Sequence, residues 1–134
     1  MITLDYKLPA HEAQERSYKE SIVTSVAEQT EFLLETVGAR ITAAAIGLAD
    51  ARPLKAWAHG EASPKESAVE DRLRILFRVT YAISAVYGAA TAAAFLRSSS
   101  PGLDDEAPLV VLRERSPAEI EGPLLATARA FLEG

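Results

Sequence analysis

The sequence has no cysteine and only two histidines, at positions 11 and 59. The first absence excludes disulfides, thiol nucleophiles and cysteine-ligated zinc. The second leaves too few imidazoles for an all-histidine metal cage. Long apolar runs are missing too. The longest stretch without a charge or a proline is residues 79–96, 18 positions, with seven alanines, two tyrosines, three hydroxyl side chains and a glycine. That composition is a poor membrane span. No basic-then-apolar leader follows Met1, so a cytoplasmic protein is expected. A Gly-rich phosphate loop and a G-x-S-x-G elbow are both absent, which removes the nucleotide-binding and hydrolase signatures.

What is present fits a folded helical protein. The 134 residues suit one or two small domains. Hydrophobic residues make up 49% and charged residues 25%, an ordinary balance for a packed core. Alanine occurs 25 times, and Arg outnumbers Lys 10 to 4. Both Ala and Arg are strong helix formers. The net charge of −5 is uneven: residues 1–37 and 98–134 are each net −4, residues 38–65 net +2, and residues 66–97 net +1. Only the middle offers phosphate any attraction.

Periodicity divides the chain into three parts. Residues 1–16 carry Pro9 and no sustained period, and are expected to form a loose arm. Residues 17–65 are expected to build a helix-turn-helix region, and residues 66–134 a long central helix with a small helical domain. From Ser17 to Val37, apolar residues at 22, 26, 33 and 37 predict one helix that stops at Gly38. A short helix over Ala39–Ile46 ends at Gly47, and Asp50 is placed as N-cap of a third helix reaching about His59. Residues 66–87 carry two adjacent apolar stripes, which predicts a helix buried on two sides or shared with a partner. Short helices over 89–97 and 108–113 follow. Ser116-Pro117-Ala118-Glu119 reads as a capping box opening the last helix, with Gly122-Pro123 able to kink it. The fold class expected is all-α.

The segment Gly38–Pro64 has the grammar of a helix-turn-helix. Leu54 and Trp57 lie three apart and are expected to face inward. Arg52, Lys55 and His59 share the opposite face with Ala51 beside them, as a recognition helix requires. Arg40 and Lys65 are placed to touch phosphates at the flanks. Three basic groups on one helix make a thin electrostatic footprint, which dimerisation would double. An Ala-rich hairpin in a protein that never meets DNA carries the same pattern, so both readings stand on spacing alone.

The runs Val37-Gly38-Ala39-Arg40-Ile41-Thr42, Gly47-Leu48-Ala49-Asp50, Trp57-Ala58-His59-Gly60-Glu61 and Arg72-Leu73-Arg74-Ile75-Leu76-Phe77-Arg78-Val79 resemble Xre-type helix-turn-helix antitoxins. Phe95-Leu96, Ser100-Pro101-Gly102-Leu103, Pro108-Leu109 and Leu112 resemble the ParS/MbcA-like toxin-binding domain that follows in that family. The likeness spans about residues 30–134. It departs at Asp104-Asp105-Glu106, where the family often has glycines and a basic residue. The resemblance implies a bacterial type II antitoxin that neutralises a RES-domain, NAD-consuming toxin. It also implies repression of its own operon, as a dimer within a larger toxin–antitoxin complex. On that basis the C-terminal region is expected to bind the toxin through apolar anchors Leu103, Leu109 and Leu112. Polar contacts are expected from Asp104, Asp105, Glu106 and Arg113, with Phe131 and Glu133 near the terminus. The alternative is a stand-alone helical interaction module that no longer binds DNA.

An enzyme is not expected, and neither a cofactor nor a metal is called for. His59 beside Glu61 or Asp50 is a weak acid–base pair. Three successive acids at 104–106 do not converge on one ion and lack EF-hand spacing. Trp57 reads as core, and Tyr81 and Tyr87 as core or interface. The apolar excess of residues 66–87 points to a homodimer.

Overall fold

The computed structural model describes residue 2 and residues 7–134. The described residues are all-helical: eight α-helices and one 3-10 turn, with no strand and one isolated bridge between Ser100 and Glu106. The helices are α1 (Ala10–Val23), α2 (Val26–Thr36), α3 (Ala39–Ile46), α4 (Arg52–Ala58), α5 (Ser67–Tyr87), α6 (Ala89–Arg97), α7 (Pro108–Glu114) and α8 (Pro117–Glu133). The 3-10 turn is Pro101–Leu103.

Helix α5 is the spine. Leu73, Ile75, Leu76, Phe77, Val79, Tyr81, Ala82, Ile83 and Ala85 are all buried along it. The two stripes are covered within one chain, by α1, α2 and α3 and by α6 and α8. That cover is incomplete at the end of the helix, where Tyr87 is 47% exposed. Tyr81 is 2% exposed and belongs to the core. It packs with Phe32 and Phe77, ring centroids 5.3–5.7 Å apart, and this trio fastens α2 to α5.

The loose arm expected over residues 1–16 is helical from Ala10 onward; positions 1 and 3–6 lie outside the described residues. Ala13 and Ser17 are buried, and the Leu8 amide donates to the Ala85 carbonyl at 3.0 Å. That bond satisfies one of the carbonyls left orphaned at the end of α5. The single helix expected over 17–37 is broken at Thr24-Ser25. Ser25 and Glu28 form a reciprocal capping box that starts α2 afresh. The buried Gln29 amide then donates back to the Ser21 carbonyl at 3.1 Å, so the break costs α1 little.

Two further expectations shift. Helix α4 begins at Arg52 with Ala51 before it, so Asp50 is not the N-cap residue. Its carboxylate still accepts the Arg52 amide at 2.9 Å. Helix α8 runs unbroken through Pro123, where the missing N–H removes one ladder bond in an exposed turn. Ser116 accepts the Glu119 amide at 3.3 Å, as its placement before Pro117 predicts.

The N-terminal and C-terminal parts are not separate lobes. Helix α3 packs against α7 as well as α5. Arg72 on α5 donates from Nε to the Leu112 carbonyl at 2.8 Å and from a terminal nitrogen to the Arg115 carbonyl at 3.1 Å. A guanidinium thus caps the end of α7 and rivets it to the spine.

Candidate binding surfaces

The first surface is built by α2, α3 and α4. Gly47 closes α3 at φ +85°, a left-handed conformation that glycine takes without strain. The chain then turns into α4, whose Leu54 and Trp57 are 1% and 6% exposed. Helix α4 packs on α2. Burial of those two side chains turns Arg52, Lys55 and His59 outward, and all three are exposed. Ala51 is half-buried at the helix start, Arg40 is exposed on α3, and Lys65 is exposed in the loop before α5.

These basic groups are not equally available. The Asp50 carboxylate holds the Arg52 guanidinium with two bonds, at 2.8 and 3.1 Å. The same bonds, with the Arg52 backbone amide, hold the Asp50 carboxyl well below its usual range, at about 2. His59 Nδ1 lies 3.9 Å from Glu61. Lys55, Arg40 and Lys65 have no ion pair among the described residues. The free positive charge at this surface therefore rests on those three.

The second surface lies on α6, the loop after it, α7 and α8. The expected apolar anchor Leu103 is 3% exposed and Leu112 fully buried. Both are core residues, and neither offers its side chain to a partner. Leu109 is half-buried against the core. The acidic run is a turn. Asp104 and Asp105 adopt φ of 55° and 63°, both are exposed, and the Asp105 amide donates to the Ser100 carbonyl at 3.0 Å. Aspartate is one of the few non-glycine residues that enters this region readily. Glu106 is half-buried and paired with Arg115 at 2.9 Å, so it anchors the loop instead of projecting from it. Arg113 is exposed and 3.5 Å from Glu114, and Glu133 is exposed near the end of α8.

Phe131 stands apart from these. It is 39% exposed, with its ring 4.9 Å from Phe95 and 5.7 Å from Tyr87. Together with Phe95 it borders a cleft of about 630 Å³ between α6, the loop of residues 98–102 and α8. The floor and walls are Ala90, Ala94 and Ala130 with hydroxyls from Thr91, Ser99 and Thr127, and no charged side chain lines it. The alanines make the cleft wide. Gly102 brings the loop against α8, where an added Cβ would sit 2.7 Å from Thr127 Oγ1. This cleft escaped the sequence reading because small residues on two helices look like any Ala-rich helix.

Two predicted sets meet unexpectedly. Arg40 and Ala51, assigned to DNA, share a concavity of about 560 Å³ with Arg113, assigned to the partner protein. The packing of α3 on α7 brings them together. Among the described residues no group of three or more acidic or histidine side chains is placed to hold a metal ion, and no helix is long and apolar enough to cross a membrane.

No family profile, curated protein or solved structure matches this chain.

Proposed function

We propose that the protein is an antitoxin of a type II toxin–antitoxin pair. It binds a toxin, a RES-domain NAD-consuming enzyme on the resemblance above, through the face formed by α6, the loop of residues 98–106 and α8. It binds operator DNA through α4 and its flanks. One observation carries the reading: the region that resembles a toxin-binding domain holds an uncharged, alanine-walled cleft of about 630 Å³ edged by the exposed Phe131 ring. An apolar centre free of charge, with polar groups at its rim, is the anatomy of a specific protein interface.

The toxin contacts shift accordingly. Phe131, Ala94 and Ala130 replace Leu103 at the centre; Asp104, Asp105 and Glu133 sit in exposed positions suited to a rim. The DNA contacts rest on Lys55, Arg40 and Lys65, with Arg52 engaged by Asp50.

That engagement favours the second reading, an interaction module without DNA binding. A protein that must exchange the Asp50 pair for a phosphate gains little per contact. The two readings separate in a gel shift against the protein's own promoter at low and moderate salt. Antitoxin function is tested by co-expressing the full chain with the toxin encoded beside it. The wild-type chain protects the cells, and Ala130→Arg, an exposed site in the cleft, does not. Protection by Ala130→Arg equal to wild type removes the cleft from the interface. A fragment beginning at residue 66 is unsuitable, because it strips α1, α2 and α3 from the spine.

A further inference from the structure

Between α1, α5 and α8 lies a crevice of about 40 Å³ whose polar lining is Gln14, Ser17, Arg78 and Arg129. That is about three times the room one water needs. The lining is rich in donors and contains no carboxylate. Arg78 Nε is buried and finds no acceptor among the described residues. The rest of that guanidinium is fixed: its carbon lies 5.1 Å from the centre of the Tyr18 ring, and one terminal nitrogen is 3.7 Å from Glu121. Arg129 Nε donates to the Gln14 side-chain oxygen at 3.2 Å. This bond uses the amide's acceptor and turns its NH₂ into another uncommitted donor. Arg129 forms no ion pair among the described residues. The two guanidiniums thus share a single ion pair, that of Arg78 with Glu121, and the crevice lining itself is positive.

A buried guanidinium N–H without an acceptor is costly, and a crevice lined with donors suits a group that only accepts. We propose that this crevice binds a small oxyanion, a carboxylate or phosphate. One oxygen accepts from Arg78 Nε and another from the Arg129 guanidinium, with the Gln14 amide closing the site. Helix α1 supplies Gln14 and Ser17 and lies outside the residues that carry the family resemblance. The inference rests on the lining of the crevice and the unpaired Arg78 Nε, not on the antitoxin reading.

The test uses the full chain with inorganic phosphate and with acetate, each against chloride at equal ionic strength. The Arg78 Nε–H resonance moves saturably with an oxyanion and stays put in chloride. The melting temperature rises by about 3–5 °C at saturating oxyanion, the mass-action gain of a ligand bound only to the folded state. A response to phosphate alone or to acetate alone identifies the source, and a response to both supports the shared chemistry. Arg129→Gln, at an exposed side chain, weakens the response about tenfold; Arg78→Gln abolishes it. A resonance unmoved by both anions overturns the proposal. So does a thermal gain equal in chloride, or one retained in Arg129→Gln. The wild-type spectrum and the Arg129 variant decide the matter even if Arg78→Gln fails to fold.

Discussion

Helix α4 and the corner made by α6, the 98–106 loop and α8 are both candidate surfaces, and they are built in opposite ways. Helix α4 has seven residues and is held by two buried side chains, Leu54 and Trp57. Its outer face is charged, and the Asp50–Arg52 pair already neutralises part of that charge. The corner is held by Leu96, Leu103, Leu112, Ile120 and Leu124, all buried, and its outer face is an uncharged cleft. A charged surface on a short helix stays solvated and adjustable by a neighbouring carboxylate. An apolar cleft must be held open by rigid walls, which explains why so many core residues stand behind it. The difference is one of construction: the outer face of α4 is solvated and partly neutralised, whereas the cleft is apolar and preorganised by the core behind it.

The largest expected effect comes from removing an anchor in each region. Trp57→Ala should destabilise the protein by about 3–5 kcal/mol and Leu124→Ala by about 2–5 kcal/mol, from lost burial and the cavity left behind. Because α3 packs on α7 and Arg72 ties α7 to α5, both variants should unfold in one denaturant transition. Two transitions in Trp57→Ala would break the picture of a single cooperative unit. Next come the two glycines that shape the surfaces. Gly102→Ala places a Cβ 2.7 Å from Thr127 Oγ1 and should cost about 1–3 kcal/mol by overpacking. Gly47→Ala meets open space, with only the Arg72 guanidinium 4.0 Å away, and should cost about 1–2 kcal/mol through its φ of +85° alone. Double replacement of Gly102 and Thr127 by Ala should recover most of the first loss. No such partner exists for the second.

A smaller effect of opposite sign is expected on the shared spine. Thr80 is fully buried and its hydroxyl finds no partner among the described residues. Thr80→Val keeps the shape and removes that desolvation penalty, so it should stabilise by about 1 kcal/mol. Smallest is the pH effect at α4. The folded Asp50 carboxyl is depressed to about 2 from 3.8. A depressed carboxylate contributes stability above its unfolded value and loses it as pH falls through the folded one. The contribution should be complete above about pH 5, fall mostly between about pH 4 and pH 2, and be gone by about pH 1. The Asp50 side-chain carbon should titrate near pH 2 by NMR, moving back toward 3.8 in Arg52→Ala. An unmoved midpoint in that variant would show that the pair does not govern the charge on this face.

The helices themselves were legible because their signals are local. Gly38, Gly47 and Gly88 end helices where positive φ is needed, and Ser116-Pro117 opens the last one. The α1–α2 break was also written in the sequence, as Ser25 and Glu28, but the apolar spacing across it kept a helical period and masked the box. The inward side of α4 was legible from the three-residue spacing of Leu54 and Trp57. The state of Arg52 was not, because its two-residue link to Asp50 follows no helical period. On the other surface, Leu103 has no periodic context in a loop, and nothing local tells an exposed anchor from a core plug. Asp104 and Asp105 read only as polar contacts; that they form an exposed turn at positive φ was not legible. The cleft depends on how close α6 and α8 approach, a distance no local pattern encodes.

The separation of the two surfaces is tested most directly by one paired binding measurement on Lys55→Glu and Ala130→Arg. Affinity for the promoter fragment and for the toxin proposed as partner is read on each variant. Lys55→Glu should lose the promoter and keep the toxin, while Ala130→Arg should keep the promoter and lose the toxin. Loss of toxin binding in Lys55→Glu, or its retention in Ala130→Arg, would contradict the account.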